Sequence, residues 1–233
     1  DTADNSTGSG HGGAPATAVQ APLPCPAPAR CVTWSARRLN TLAAINGARN
    51  YLEIGVWRGD TFLDVQVPMK TGVDPSFRFD TTRHQSPSCR FVTATSDAFF
   101  TSSAAAGEMF DLFFLDGLHH SEQTFRDFCA SLSVASERAI WLIDDVYPSD
   151  AFSAMRDAAS ASRHRRRDTG ADSQAWHGDV FRALVAIHDF FPQFSMRTFA
   201  AGGNVQSVVV RSPRPGFSPI LRDFEAIART DYF

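Results

Sequence analysis

Three acidic side chains stand where two apolar segments of the chain end. Asp116 is the last residue of the run DLFFLD. Asp144 is the last residue of the run AIWLID, and Asp145 follows it directly. Carboxylates gathered at one place repel one another unless a cation lies between them. Oxygen ligands favour Mg²⁺ or another hard divalent ion. Asp116, Asp144 and Asp145 are therefore predicted to be metal ligands, and the alternative is that one or two of them cap helices or hold loop amides.

A histidine follows the first of these acids at a short distance along the chain. His119 comes three residues after Asp116. An imidazole has an ordinary pKa near 6.5, which suits proton abstraction near neutral pH. His119 is predicted to be a general base or a substrate contact. His120 is the competing candidate, and the sequence does not separate the two.

A glycine turn follows another apolar segment, in the run YLEIGVWRGD. Gly55 lacks a Cβ, so the backbone can turn sharply there and approach a ligand. Gly59 lets a following helix start close to that ligand, and Glu53 would orient the turn. The three residues are predicted to bind a nucleotide-type cofactor. The spacing E-x-G-x-x-x-G differs from the G-x-G-x-x-G of dinucleotide folds, which counts against an NAD-dependent enzyme.

Further acidic residues extend the predicted cofactor site. Asp74 lies about 20 residues after the glycine turn, where an acid in a doubly wound sheet accepts hydrogen bonds from ribose hydroxyls. Capping of a loop is its alternative role. Ser96 and Asp97 follow the next predicted strand, and an acid or its neighbouring backbone there can contact an adenine amine. Asp97 could equally be the N-cap of a helix over residues 98–102.

Strands and helices alternate along the chain and would position these residues. An apolar run such as DLFFLD is typical of a strand buried on both faces of a parallel sheet. Five β/α units are followed by two β-rich runs around a Gly-Asn turn, which predicts a terminal hairpin. The fold class is α/β, a doubly wound Rossmann-like seven-stranded sheet with a terminal antiparallel β-hairpin. The predicted strands are Tyr51–Gly55, Lys70–Asp74, Arg90–Thr93, Asp111–Asp116, Ala139–Asp144, Phe194–Phe199 and Val205–Val210.

Helices are predicted between and beside these strands. Apolar residues at helical spacing mark a helix over Trp34–Ile45, one through Phe125–Leu132 and one over Val180–His188. A short helix over Thr61–Val67 would be stopped by Pro68. The apolar residues from Ile220 to Ile227 predict a packing helix near the end of the chain.

Composition bounds the classes of protein to which the chain can belong. Its 233 residues suit one domain with appendages, and a formal net charge of −3 argues against a nucleic-acid partner. No apolar segment is long enough to span a bilayer. The domain is predicted over residues 31–233. Residues 1–30 contain few large apolar groups and are expected to be a flexible leader or linker. Cys25 and Cys31 could form a small disulfide, although the rest of the chain suggests a cytoplasmic protein.

Taken together, the motifs EIGVWRG, VDP, FLDGLH and IDD resemble those of class I S-adenosylmethionine-dependent methyltransferases. More narrowly, they are similar to the metal-dependent small-molecule O-methyltransferases, including the macrolide sugar enzymes, over roughly residues 32–211. The resemblance implies S-adenosylmethionine and Mg²⁺ as cofactors, with Asp116, Asp144 and Asp145 as metal ligands and Asp116 beside the cofactor. The D-x-x-H pattern implies that His119 is the base. The catechol-type relatives use a lysine near the fifth strand, where this chain has none.

The resemblance implies O-methylation of a hydroxyl on a small-molecule or saccharide acceptor. The alternative is a non-catalytic, cofactor-binding module of a larger protein, and attachment to further domains or a homo-oligomer is compatible with the sequence. Arg163–Arg167 forms a basic run, expected in a polar loop, which could be solvated or could bind an anionic group of the acceptor. Trp176 and His177 could line the acceptor pocket, and Asp179 could cap the helix that follows it.

Overall fold

Seven strands and six helices make up the part of the chain, residues 32–232, that the computed structural model describes. The strands are β1 (Asn50–Ile54), β2 (Met69–Val73), β3 (Cys89–Val92), β4 (Phe110–Leu115), β5 (Ala135–Ile143), β6 (Phe194–Phe199) and β7 (Gln206–Arg211). The helices are α1 (Trp34–Asn46), α2 (Ser96–Ala106), α3 (Ser121–Ser131), α4 (Ala158–Thr169), α5 (Phe181–Phe190) and α6 (Phe224–Arg229). The expected leader and the Cys25–Cys31 pair lie outside the described residues.

The strands form one sheet in the order β3-β2-β1-β4-β5-β7-β6. The first five strands are parallel, whereas β7 runs antiparallel to both β5 and β6. The predicted seven-stranded α/β sheet with its terminal antiparallel hairpin is confirmed. Register aligns the strand ends, because Ile54 of β1 lies opposite Val73 of β2 and Leu115 of β4, and Leu115 lies opposite Ile143 of β5. Residues that follow these four strands therefore meet at one edge.

Both faces of the sheet are covered, which explains why five of the six residues of the central strand β4 are apolar. All six residues of β4 are buried. One core packs α2, α3 and α5 against alternate strand residues such as Phe113 and Trp141. The other packs α1 and the segment after β1 against the intervening residues, such as Phe114 and Leu142. The two layers hold the strand ends rigidly in place.

The predicted helix over Thr61–Val67 is wrong in extent, because only a single 3₁₀ turn forms, Phe62–Asp64. Side chains bind the carbonyl groups that a longer helix would have used. Lys70 Nζ donates to the carbonyls of Phe62 and Val65 at 2.9 and 3.0 Å, and Asn40 donates to that of Asp64 at 3.0 Å. These bonds end the turn before Pro68 is reached.

The basic run Arg163–Arg167 lies in α4 and not in the expected loop. Asp157 caps the start of α4 and Gly170 ends it in a left-handed conformation. Arg165 is buried on this helix, where its guanidinium bonds Asp150 at 2.9 Å and the carbonyls of residues 173 and 175. In the described part of the chain, no helix has the length and apolar character needed to cross a membrane.

Candidate active site

A cavity of about 820 Å³ opens at the carboxyl edge of β1, β2, β4 and β5. This is the edge at which open α/β sheets bind their ligands. Most residues predicted for the site line the cavity: Gly55, Asp74, Ser96, Asp97, Asp116, His119, Asp144 and Asp145. The lining formed by the described residues does not include Glu53, Gly59 or His120. It also contains four residues that were not predicted for the site from the sequence: Trp57, Gln123, Asp127 and Asn204.

The turn after β1 requires glycine at residue 55 for both its backbone conformation and its packing. Gly55 has a φ of +88°, and a Cβ there would lie 1.9 Å from the carbonyl oxygen of Asp116. The missing side chain thus lets the loop after β4 approach the turn. Gly59 has a φ of +76°, and a Cβ there would meet the ring of Phe79 at 3.0 Å. Gly55 thus shapes the cavity wall, whereas Gly59 packs against Phe79 away from the lining.

Glu53 is fully buried below this turn, and its carboxyl group accepts a hydrogen bond from the Tyr51 hydroxyl. Burial raises the pKa of Glu53 to about 8, although Tyr51 and Lys70 act in the opposite direction. The acid therefore holds a proton at neutral pH. The turn itself is held by Asp74, as its hydrogen bonds indicate.

Asp74 connects the turn after β1 to the exit from β2. Its Oδ2 accepts from the Trp57 amide at 2.8 Å and its Oδ1 from the Ser76 amide at 2.7 Å. Trp57 has a φ of 47°, so the bond from its amide fixes an unusual backbone conformation. A carboxylate has about four lone-pair positions. Asp74 can therefore hold the turn and still accept bonds from a ligand hydroxyl in the cavity.

The far end of the cavity lies between α2 and α3. Thr95 caps α2 by accepting from the Ala98 amide at 3.3 Å, so the alternative of Asp97 as the N-cap is wrong. Gln123 of α3 donates to Ser96 Oγ at 3.2 Å, to Asp97 Oδ1 at 3.3 Å and to Asp127 Oδ1 at 2.9 Å. Burial raises the pKa of Asp127 to about 6, while its bonds to Ser96 and Gln123 act in the opposite direction.

Three carboxylates converge at the opposite end of the cavity. The strand pairing continues one residue beyond β4 and β5, with the Asp116 amide bonded to the Ile54 carbonyl and the Asp144 amide to that of Leu115. Asp145 follows with a φ of 58°. Burial, followed by repulsion from Asp144 and Asp145, raises the pKa of Asp116 well above its ordinary value. Burial and Asp145 likewise raise the pKa of Asp144 to about 7.

Amide donors from the β6–β7 turn and β7 hold two of these acids. Asn204 Nδ2 lies 2.6 Å from Asp144 Oδ1 and 2.6 Å from Asp145 Oδ1, and Gln206 Nε2 donates to Asp144 Oδ2 at 2.9 Å. Buried Arg38 of α1 fixes the turn by donating to the Asn204 carbonyl at 2.6 Å and to Gln206 Oε1 at 2.7 Å. Both Asp144 oxygens are thus bonded to protein N–H groups.

His119, rather than His120, faces the acids. Its Nε2 lies 3.0 Å from Asp145 Oδ2 and 3.9 Å from Asp116 Oδ1. Its Nδ1 lies 3.2 Å from the Trp176 carbonyl, which can only accept, so Nδ1 carries a proton. The ring stacks on Trp176 at 4.6 Å and 15°. Although burial opposes the change, the bond to Asp145 raises the pKa of His119.

The donor set suits a hard divalent cation. One oxygen each from Asp116 and Asp145 and one ring nitrogen of His119 lie within 4.8 Å of one another among the described residues. Repulsion from Asp144 and Asp145 contributes to the raised pKa of Asp116, so a cation between these carboxylates would be stabilising. The carboxylates of Asp116 and Asp145 therefore fit a metal ion, and His119 Nε2 lies beside them. Asp144, predicted as a third ligand, lies beside this group with its oxygens bonded to Asn204 and Gln206.

The segment before α5 closes over His119. A Cβ on Gly178 would lie 1.8 Å from the His119 carbonyl oxygen, so only glycine fits this approach. His177 Nε2 lies 3.2 Å from Asn204 Oδ1, which connects the segment to the β6–β7 turn. Asp179 does not cap its own helix, as one alternative expected, because its Oδ1 accepts from the Ser121 amide of α3 at 2.7 Å.

Residues 52–146 match the profile of a family described as a methyltransferase domain. No curated protein sequence matches the chain significantly. Solved structures with the same fold include the O-methyltransferase from Bacillus cereus in complex with SAH, with 18% identity, a TM-score of 0.54 and coverage of 78% of this chain and 84% of that chain.

Two further structures are similar over most of their length. Cofactor-bound Rv0187 from MTB has 17% identity and a TM-score of 0.57, covering 80% of this chain and 84% of the other. The O-methyltransferase TomG from Streptomyces achromogenes, involved in tomaymycin synthesis and solved with SAM, has 15% identity and a TM-score of 0.53, covering 79% and 83%. The profile match thus covers the glycine turn and the strands through β5, and the solved structures share the fold.

Proposed function

We propose that the protein transfers the methyl group of S-adenosylmethionine to a hydroxyl group of a small-molecule or saccharide acceptor, with a divalent cation and His119 as base. The observation that carries the proposal is the convergence of Asp116, Asp145 and His119 in the same cavity as the glycine turn and Asp74. The residues proposed for the cofactor and those proposed for acid–base chemistry thus line the same cavity. A non-catalytic module is not favoured, because such a module would not need these groups.

In this proposal the cofactor lies along the carboxyl ends of β1 and β2. The turn at Gly55 receives its methionine part, and Asp74 accepts the ribose hydroxyls. The polar residues between α2 and α3 receive the adenine. A cofactor held in this way would present its sulfonium methyl group toward Asp116 and His119, where the acceptor would enter. Holding both reactants in this way removes much of the entropic barrier to methyl transfer.

The residues at the carboxylate end of the cavity would deprotonate the acceptor hydroxyl. Asp116 and Asp145 would hold a divalent cation, which would act as a Lewis acid, lower the pKa of the acceptor hydroxyl and balance the carboxylate charge. His119 keeps its Nδ1 proton on the Trp176 carbonyl, so Nε2 is the nitrogen that takes the hydroxyl proton. The acceptor oxygen then forms a bond to the methyl carbon as the carbon–sulfur bond breaks, leaving S-adenosylhomocysteine (SAH). The Trp176 ring, stacked on His119, provides one wall for the acceptor.

The test measures binding and turnover separately. Calorimetry is expected to show that SAH binds with or without EDTA, whereas methylation of a panel of sugar and phenol acceptors requires Mg²⁺ or Mn²⁺. Asp116→Asn and Asp145→Asn should weaken Mn²⁺ binding measured by electron paramagnetic resonance. Asp144→Asn should weaken it less, since its oxygens are bonded to amides. Full activity in excess chelator would overturn the metal part of the proposal.

His119→Ala tests the base, and His120→Ala is its matched control, because His120 Nε2 bonds the Arg156 carbonyl instead. A positioned general base contributes about 10²–10⁴-fold. His119→Ala should lose that factor in the methyl-transfer step and regain part of it at high pH, where hydroxide takes the proton. His120→Ala should keep a normal rate. The reverse result would assign the base to His120.

A further inference from the structure

Arg165 is a buried arginine that the proposed chemistry does not use. Its side chain is only 2% exposed, although it lies within the basic run of α4. The guanidinium donates from Nε and Nη2 to Asp150 at 3.0 and 2.9 Å. It also donates to the carbonyls of Ser173 and Ala175 at 2.8 Å each. One planar fork thus ties the loop after β5 to the segment that leads to Trp176.

The peptide groups on both sides of Trp176 are held by this contact. Arg165 bonds the carbonyl of the preceding residue. The amide of the following residue donates to the Ser153 carbonyl at 2.9 Å. Asp150 in turn holds Ser153, because its Oδ1 accepts from the Ser153 amide at 2.6 Å. The indole Nε1 of Trp176 donates to the Met155 carbonyl at 2.6 Å, so both the backbone and the ring of this residue are fixed.

Trp176 connects this contact to His119. Its carbonyl lies 3.2 Å from His119 Nδ1, and its ring stacks on the imidazole at 4.6 Å. The carbonyl determines which ring nitrogen carries the proton, and the stacking fixes the plane of the ring. Together they leave Nε2 directed toward Asp145, at 3.0 Å. A change in the position of Trp176 would therefore change the orientation of His119.

We propose that Arg165 is a positioning residue, which holds Trp176 against His119 and so keeps Nε2 of this histidine directed at the acceptor hydroxyl. The inference rests on the proposed function, since it assumes that His119 takes the acceptor proton. A displacement of about 1 Å that begins far from the chemistry can slow a reaction about 10²-fold. Residues 171–175 are exposed, so water can bond the carbonyls that a variant of Arg165 leaves free, and the variant should fold.

Fluorine NMR of protein labelled with 5-fluorotryptophan tests the positioning directly. The chain has four tryptophans, and Trp176→Phe assigns the resonance of Trp176. Arg165→Met should shift or broaden that resonance and should leave unchanged the resonance of Trp141, which is fully buried in the core. Arg166→Met is the matched control, because this neighbouring side chain is 65% exposed and pairs with Asp172 at the surface. It should leave all four resonances unchanged.

Single-turnover methyl transfer, with the acceptor that wild-type protein methylates fastest, tests the effect on the reaction. Arg165→Met should slow this step about tenfold to 10²-fold. It should leave the affinity for SAH nearly unchanged in calorimetry, because the arginine lies outside the cavity lining. In a His119→Ala background Arg165→Met should cost less than about threefold, since a residue that acts through His119 then has nothing to position. Arg166→Met should keep the wild-type rate, which separates positioning from anion binding by the basic run.

Each outcome decides a separate question. If the Trp176 resonance is unchanged in Arg165→Met, if Arg166→Met slows transfer as much, or if the loss persists in full without the histidine, the inference is overturned. If wild-type protein does not bind SAH, the proposed function fails instead, and the fluorine spectra still decide whether Arg165 positions Trp176. If the Trp141 resonance shows that Arg165→Met does not fold, Arg165→Lys takes its place, because it keeps the charge beside Asp150 without the planar fork. Arg165→Lys should shift the Trp176 resonance, and an unchanged spectrum would also overturn the inference.

Discussion

Replacing Asn204 with alanine should destabilise the protein through the two acids that this side chain bonds. Asn204 Nδ2 donates to Asp144 and Asp145 at 2.6 Å each. A hydrogen bond to a charged group contributes about 1.5–3 kcal/mol. Asp144 keeps its bonds from Gln206 and the Asp145 amide, which favours the lower end of that range. We expect a loss of about 3 kcal/mol, which lowers the melting temperature by about 6–12 °C for a domain of this size.

Thermal unfolding in EDTA measures this loss, and addition of Mg²⁺ tests its cause. A cation between the acids supplies the positive charge that the amide no longer provides, so Mg²⁺ should restore part of the stability. Asn40→Ala is the matched control, since Asn40 makes two bonds to neutral backbone groups, at Asp64 and Gln66. It should lose less and should not respond to Mg²⁺. An Asn204→Ala loss below about 1 kcal/mol, or one that Mg²⁺ leaves unchanged, would refute the reasoning.

Three further predictions concern the cofactor, buried charge and domain extent. Asp74→Ala should weaken SAH binding at least about tenfold in calorimetry, because ribose hydroxyls lose a charged acceptor; unchanged affinity in a folded variant would remove Asp74 from the site. Because folding raises the pKa of Glu53 from 4.5 to about 8, the contribution of this protonated side chain to the free energy of unfolding is complete below pH 4.5 and is lost as the pH rises through 8. Chemical denaturation in EDTA from pH 5 to 9 should therefore show that the free energy of unfolding of Glu53→Gln increasingly exceeds that of wild type as the pH rises, by about 4–5 kcal/mol at most. A difference between the two proteins that does not change with pH would contradict this prediction. Deletion of residues 1–28, whose composition supports no core, should leave the melting temperature and SAH affinity unchanged, and a large drop in either would show that they contribute to the domain.

Local sequence determined the sheet and most of the residues at its carboxyl edge. Five of the six residues in the run FDLFFL are apolar because helices cover both faces of the sheet, and this nearly continuous apolar pattern is readable without knowing which helices they are. Asp74, Asp116 and Asp144 each directly follow a parallel strand. Parallel strands that end in register bring such residues together, so their meeting in one cavity follows from the order of elements alone.

Local sequence was a poorer guide where side chains distant along the chain decide the outcome. The run of four arginines and one histidine over residues 163–167 suggests a solvated loop. These residues form a helix instead, because Asp157 caps its start and the buried Arg165 pairs with Asp150. Likewise, the helix expected after Gly59 is cut short by bonds from Lys70. In both cases a tertiary contact outweighs local preference.

Only the tertiary structure decided which groups surround the acids. Asn204 reaches Asp144 across 60 residues because β7 pairs antiparallel with β5, which sets Ser207 opposite Ile143. Trp176 reaches His119 across 57 residues through a segment with no regular structure. Hydrogen bonds act over about 3 Å whatever the separation along the chain. The sequence therefore determined which strand ends carry acids, whereas strand register and the path of the chain decided what each acid touches.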